Sequence, residues 1–318
     1  MTGRREVALE HLTLLDVAPP DLVSLAAAAG FGAVSLRVSP ATDGEQPWPV
    51  SPGSRMLADT VRRLDDTGLR MLGAEAIRLD GGRGDWEPVL ATAAQLGARY
   101  LNAISEDRDL TRLADRFAEL TQLALRYGVR PVIEFMSYKP VHTLAAALNI
   151  AALSAGGRVL VDALHVQRCG VSLADLAAAD PARLSYVQLC DAPREPRTGL
   201  PPPRALPRGQ PVSGGDLALE ARARRLLPGQ GELPLAGLLG ALPSTIPVGV
   251  EAPSLRLSRE LTGQQFAARA RAAADRVLAL AAAPGQQTAS PGQQPGSPGQ
   301  QTTAPGQQTG SPGQQTAH

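Results

Sequence analysis

Lysine occurs once in the 318 residues, at Lys139; every other basic side chain apart from histidine is arginine. Beside 32 glycines, 28 prolines and abundant alanine, that skew reads as genomic GC bias and carries no chemistry. Cysteine is nearly absent too. Cys169 and Cys190 cannot make a disulfide framework, so a reducing cytoplasm is the expected compartment. The formal net charge is only +1, which leaves no global field to attract nucleic acid or an anionic membrane. No apolar run approaches the ~20 residues that span a bilayer, and the opening MTGRREVALEH lacks the apolar stretch of a secretory signal. Histidine is limited to His11, His142, His165 and His318. What remains is a chain that is 43% hydrophobic and long enough to bury a large core.

From residue 284 the sequence repeats a seven-residue unit that opens PGQQ and contains no aliphatic side chain larger than alanine. Burial cannot offset the ordering entropy of such a segment, so residues 284–318 are expected to be a disordered tail and residues 1–283 a single folded domain. Before the tail, apolar strand-like runs alternate with amphipathic stretches. The runs are VALEHL (7–12), AVSLRV (33–38), LRMLGAEAI (69–77), ARYLNAI (98–104), RPVIEFM (130–136), RVLVD (158–162), LSYVQLC (184–190) and PVGVE (247–251). Helix signals lie between them. In DLTRLADRFAELTQLALRYG, Asp109 can cap the start, Leu113, Phe117, Leu120 and Ala124 keep helical spacing, and Gly128 can end it. Thr262 and Gln265 form a capping-box pattern before the last helix. Eight strands alternating with helices match an α/β (β/α)8 barrel, for which ~250 residues is typical. An open doubly wound sheet fits less well, because no Gly-x-Gly-x-x-Gly turn follows the first strand.

In such a barrel chemistry belongs at the carboxyl ends of the strands. Strand five ends VIEFM, which gives Glu134; strand six ends with Asp162, strand seven offers Gln188 and Asp191, and strand eight ends with Glu251. One carboxylate at a strand end is ordinarily a helix cap or an arginine partner. Three carboxylates and an amide oxygen on four consecutive strands repel one another without a cation. That oxygen-rich set suits Mn²⁺ or Mg²⁺ better than a structural zinc, with Co²⁺ or Zn²⁺ as further candidates. His165, three residues after Asp162, then neighbours the site.

In order and spacing these residues resemble the xylose isomerase-like TIM barrels, a family that includes sugar phosphate isomerases and epimerases. The resemblance covers essentially the whole chain before the tail. It implies one divalent ion held by Glu134, Asp162, Gln188 and Glu251, with His165 of the Asp-x-x-His element touching substrate. RRLLPGQGELPL resembles the family's arginine-Pro-Gly-x-Gly segment, whose arginine before the turn touches substrate; here that is Arg225. Many sugar epimerases carry histidine where Gln188 stands. The glutamine form resembles the branch with inosose and 3-dehydroshikimate dehydratases, and it leaves a competent hard-ion ligand in place.

The resemblance implies a metal-dependent enzyme of carbohydrate metabolism acting on a small sugar-like or cyclitol-like polyhydroxy ketone. Glu134 and Glu251 would remove and return the proton next to the carbonyl, giving isomerisation or epimerisation through an enediolate. The alternative is a hydro-lyase, in which His165 or His142 protonates a departing hydroxyl. His11, Arg37, Glu75 with Arg78, and His142 are further candidates for substrate contact. An apurinic-site endonuclease shares the barrel but needs a histidine-rich multinuclear zinc centre, which four histidines cannot build. A metal-free binding barrel is the remaining rival. Neither nucleic acid nor membrane is expected as a partner, and a homo-oligomer is left open. Cys190 reads as packed, and the Pro-rich stretch 192–214 as a loop over the mouth.

Overall fold

The computed structural model describes residues 5–80 and 85–283. The expected tail, 284–318, lies outside the described residues. Eight parallel strands close into a barrel in sequence order: β1 Val7–Glu10, β2 Ala33–Arg37, β3 Arg70–Arg78, β4 Tyr100–Ile104, β5 Arg130–Glu134, β6 Arg158–Asp162, β7 Leu184–Leu189 and β8 Val248–Val250. The helices are α1 Pro19–Ala28, α2 Arg55–Thr67, α3 Glu87–Gln95, α4 Leu110–Arg126, α5 Leu144–Ala152 and α6 Ala163–Arg168. They continue with α7 Leu173–Ala178, α8 Gly215–Ala223, α9 Leu235–Ala241, α10 Leu255–Glu260 and α11 Gly263–Ala282. All eight expected strands are present, and the fold is the expected (β/α)8 barrel.

Local chemistry sets the ends of these elements. Asp109 accepts from Thr111 N and Arg112 N, both at 3.1 Å, so α4 starts where a side chain satisfies its free amides. Gly128 follows its end with φ 74°, a conformation that costs glycine little. The capping box of Thr262 and Gln265 opens α11. Five strands stop short of the ends of their apolar runs, β2, β7 and β8 by a single residue. β1 stops at Glu10 and turns into a 3-10 segment, His11–Leu14, while β5 stops at Glu134 and β8 at Val250. In each case the first residues past the ladder carry site or loop contacts.

Strand alternation divides the core into two populations. Leu9, Val34, Leu101, Ile133, Val161 and Val187 face outward onto the helices. Ala8, Ala33, Leu72, Tyr100, Val132, Leu160 and Tyr186 face inward and fill the lower barrel. The rings of Tyr100 and Tyr186 stack there at 5.5 Å. Two residues further along six of those strands, the inward positions are Glu10, Ser35, Asn102, Glu134, Asp162 and Gln188. All six are polar and buried. β3 breaks phase through register shifts against both neighbours, and it pairs Glu75 with Arg37 on one side and Asn102 on the other. A polar layer this deep is costly unless every member is partnered, so it marks the site.

Candidate active site and metal centre

Above the polar layer, at the carboxyl ends of the strands, lies a cavity of about 460 Å³. Arg37, Glu75, Glu134, His165, Arg225 and Glu251 line it. Asp162 and Gln188 lie deeper, both fully buried.

Asp162 does two jobs with its two oxygens. Oδ1 caps α6, accepting from Leu164 N at 2.8 Å and His165 N at 3.1 Å. Oδ2 accepts from Arg225 Nη1 at 2.5 Å, and the same guanidinium reaches Glu251 Oε2 at 3.1 Å through Nη2. The helix start therefore fixes His165 beside the cavity, where Nε2 is 3.9 Å from Glu134 Oε1. Tyr138 meets the His165 ring edge-on. Arg225 reaches this depth because its segment is pinned on both sides. Its N–H donates to Pro253 O at 3.0 Å, and Asp191 accepts from Gly229 N at 2.9 Å and Leu233 N at 3.0 Å. A Cβ at Gly231 would overlap Asp191, so the Pro-Gly-x-Gly turn needs its second glycine.

Opposite charges do not balance in this layer. Glu10, Glu75, Glu134, Asp162 and Glu251 are buried, yet only Arg37 and Arg225 pair with them as cations. Burial, then the charge of Asp162, pushes Glu134 up to about 8. Burial likewise raises Glu251 and Glu10, the latter also crowded by Glu75. Burial would raise Asp162 too, but Arg225 and then His165 outweigh it and hold the carboxyl below its ordinary value. His165 is pushed down to about 4 by burial, against the pull of Asp162, so at neutral pH it is an uncharged hydrogen-bonding group.

The chemistry of this layer suits a hard divalent cation, although both oxygens of Asp162 are already taken by the α6 amides and Arg225. Its donors are oxygens, its negative charge is in excess, and Gln188 carries a fully buried Oε1 with no hydrogen-bond partner. Gln188 Nε2 donates to Glu251 Oε1 at 3.1 Å and to Glu10 Oε2 at 3.3 Å. Among the described residues, the group of three carboxylates whose oxygens come within 4.8 Å of one another is Glu10, Glu75 and Glu251. Of the expected carboxylate ligands only Glu251 belongs to this close group, and Glu134 and Asp162 do not.

Two of the sequence-derived candidates lie elsewhere. His11 is buried, with Nδ1 accepting from Arg37 N at 2.9 Å and Nε2 2.9 Å from Val17 O, so both ring nitrogens serve the backbone. His142 is exposed and sits 2.8 Å from Pro140 O. Neither lines the cavity. Conversely, Glu10, Asn102, Tyr138 and Gln210 belong to the site region and were not singled out in the sequence. Asn102 Nδ2 donates to Glu134 Oε2 at 2.8 Å. The signal for Glu10 and Asn102 was available: each is two residues past an inward apolar position of its own strand. The 192–214 loop does line the cavity, through Gln210, Pro211, Ser213 and Gly214. It is latched by Gln210 Nε2 to Glu45 Oε2 at 3.2 Å and by the Arg208 guanidinium 4.0 Å over the Trp48 ring.

The family model described as xylose isomerase-like TIM barrel matches residues 23–275, and the chain belongs to that family. No curated protein matches it. Among solved structures, the IOLI protein with a bound zinc atom is similar at 19% identity and TM-score 0.67, over 86% of this chain and 98% of that one. A D-psicose 3-epimerase from Clostridium cellulolyticum H10, solved with D-tagatose, is similar at 12% identity and TM-score 0.64, over 87% and 99%. A xylose isomerase-like TIM barrel/4-hydroxyphenylpyruvate dioxygenase fusion protein gives 19% identity and TM-score 0.65 over 84% of this chain, which spans only 42% of that protein. At these identities the likeness is one of fold. Among the described residues, no helix is long and apolar enough to cross a membrane.

Proposed function

We propose that the protein is a divalent-metal-dependent isomerase or epimerase of a small polyhydroxy ketone. Glu134, Asp162, Gln188 and Glu251 would hold the ion, which when bound polarises the substrate carbonyl and offsets the excess negative charge. The observation that carries the reading is that two buried carboxylates three strands apart, Glu134 at the end of β5 and Glu251 just past β8, line the same cavity, with the orphaned Gln188 oxygen on β7 between them. One carboxylate takes the proton from the carbon next to the carbonyl, and the other returns it from the far side, which inverts or relocates the centre. Asn102 fixes which oxygen of Glu134 faces substrate. Uncharged His165 hydrogen-bonds a substrate oxygen without adding a competing cation. Arg225 holds Asp162 and Glu251 in place and presents its charge to the cavity. D-psicose 3-epimerase, a structural relative, is named for a reaction of this class, which supports the reading by analogy.

Solvent deuterium exchange into a panel of ketoses and inososes, with Mn²⁺ added, tests it. Carbon-bound deuterium without loss of water is the expected result, and it should form at least about 10²-fold more slowly in Glu134→Gln. A conjugated product formed with loss of water would replace this reading with the hydro-lyase. No exchange and no product across the panel would remove both.

A further inference from the structure

Two amide oxygens in the cavity wall have no partner. Asn102, from β4, and Gln210, from the loop over the mouth, both line the cavity and are buried, at 6% and 4% exposure. Asn102 Oδ1 and Gln210 Oε1 accept no hydrogen bond from any described residue. Their orientation is not arbitrary, because each NH₂ is committed to a carboxylate: Asn102 Nδ2 to Glu134 Oε2 at 2.8 Å, Gln210 Nε2 to Glu45 Oε2 at 3.2 Å. With the carboxyls ionised, rotating either amide would set oxygen against oxygen, so the carbonyl end is the end left for a ligand.

Thr42 Oγ1 and Glu75 Oε1 in the wall also lack a hydrogen-bond partner among the described residues. A hydroxyl can turn and a carboxyl can be protonated, so neither is a fixed acceptor as the two amides are. The basic side chains of the wall are engaged. Arg78 pairs with Asp43 and Asp80, Lys139 with Glu106, and Arg37 with Glu75 and Glu45. Arg222 donates to the carbonyls of Ala218, Pro211 and Ser213. A buried acceptor without a donor is expensive to maintain, and it discriminates strongly once a ligand supplies the donor. An N–H or O–H donor would serve either oxygen. In a site built for a polyhydroxy ketone, the donor is a hydroxyl.

We propose that Asn102 and Gln210 are specificity-determining residues that each accept the hydrogen of a substrate hydroxyl outside the reacting ketol unit. This inference rests on the polyhydroxy-ketone reading and sharpens it. The substrate must carry at least two hydroxyls beyond the carbonyl and its reacting neighbour, so a four-carbon or longer chain, or a cyclitol, fits and glycolaldehyde-sized ligands do not. Asn102 thereby links recognition to chemistry, since the amide that reads the hydroxyl also orients Glu134.

The test uses ligand binding, which does not require turnover. The full-length protein with Mn²⁺ is titrated calorimetrically with pentitols, hexitols and inositols, and with the monodeoxy form of each polyol that binds. At least one deoxy position should cost the parent protein about tenfold in affinity, and Gln210→Leu should cost about the same for the intact polyol. For that deoxy ligand Gln210→Leu should cost nothing further, because the lost hydroxyl and lost acceptor are the same interaction. Asn102→Leu should behave likewise at a different hydroxyl. If each variant weakens intact and deoxy ligands equally, the residues only shape the wall and the proposal is wrong. It is equally wrong if every monodeoxy ligand binds the parent as well as its polyol, or if no polyol binds. Polyol recognition without deuterium exchange in any ketose would sink the isomerase reading and leave this one standing.

Discussion

On the β5–β8 side of the mouth, each buried carboxylate is met by donors from its own neighbourhood. Asp162 takes two backbone amides and Arg225, Glu251 takes Gln188 and Arg225, and Glu134 takes Asn102. On the β1–β3 side Glu10 and Glu75 crowd together, with Ser35 and Gln188 donating to the first and Arg37 alone pairing with the second. There the space itself is engineered: a Cβ on Gly249 would overlap the Glu10 carboxylate, so β8 gives up a side chain to admit it. The contrast separates two ways of holding negative charge in a barrel. Burial raises carboxyls on both sides, Glu134 and Glu251 as well as Glu10; what differs is that on one side fixed dipoles and a guanidinium meet the carboxylates, and on the other a second carboxyl adds to the burial.

The sharpest way to break that contrast is on the β5–β8 side. Glu134→Gln keeps an oxygen and removes the base, so exchange should fall by about 10²-fold or more while metal content changes little. Asp162→Ala removes a ligand oxygen, the α6 cap and the partner of Arg225 together. Metal affinity and activity should fall in parallel, and excess Mn²⁺ should restore part of the loss. Metal content measured after dialysis, beside exchange rates, distinguishes these outcomes; full exchange by metallated Glu134→Gln would reduce that residue to a ligand and leave the chemistry to Glu251.

On the β1–β3 side the expected effect is on stability. Gly249→Ala should lower Tm by on the order of 5 °C, since forced overpacking typically costs ~1–3 kcal/mol. The paired change Gly249→Ala with Glu10→Ala should recover much of it, because the clash and the crowded carboxyl leave together. Additive losses in the double variant would show that Gly249 is needed for some other reason.

Legibility in the sequence followed the same division. All eight strands could be read from apolar runs bounded by turn residues, because barrel strands buried on both faces carry a strong signal. Glu134, Asp162 and Glu251 stood out as charges at or near the ends of such runs, as did Arg225 beside a Pro-Gly-x-Gly turn. Glu10 and His11 show where that reading fails. Both lie late in the first run, and only the pleat separates them: Glu10 follows Ala8 on the inward face, while His11 leaves the ladder and bonds the backbone. A one-residue difference in phase exchanges site for scaffold. Asn102 was missed for a related reason, since it lies inside YLNAI and not at its end. Gln210 was beyond reach, because its place depends on a long loop closing onto Glu45.

The smallest expected effect concerns pH, and it sets the crowded carboxyls against the neutral histidines. Glu134 lies at about 8 in the metal-free fold and near 4.3 in an unfolded chain, so between those values the native state binds more protons. Its contribution is therefore full below about 4.3 and is lost as pH rises through about 8. His11 and His165 act in the opposite sense. Burial pushes them down to about 3 and about 4, so the unfolded chain, with His near 6.5, binds the extra protons, and their contribution is lost as pH falls below that value. Between pH 6.5 and 8 the folded histidines are neutral and the unfolded ones lose their remaining protons, so the carboxyl effect increasingly dominates. Metal-free protein should lose a few degrees of Tm across that window, and Glu134→Gln should lose less. Mn²⁺ should raise Tm more at pH 8 than at pH 6.5, because a bound cation favours the ionised carboxylate that burial opposes. A Tm that is flat from pH 6.5 to 8 without metal would mean that Glu134 keeps its charge in the fold, and that the donors around it suffice without an ion.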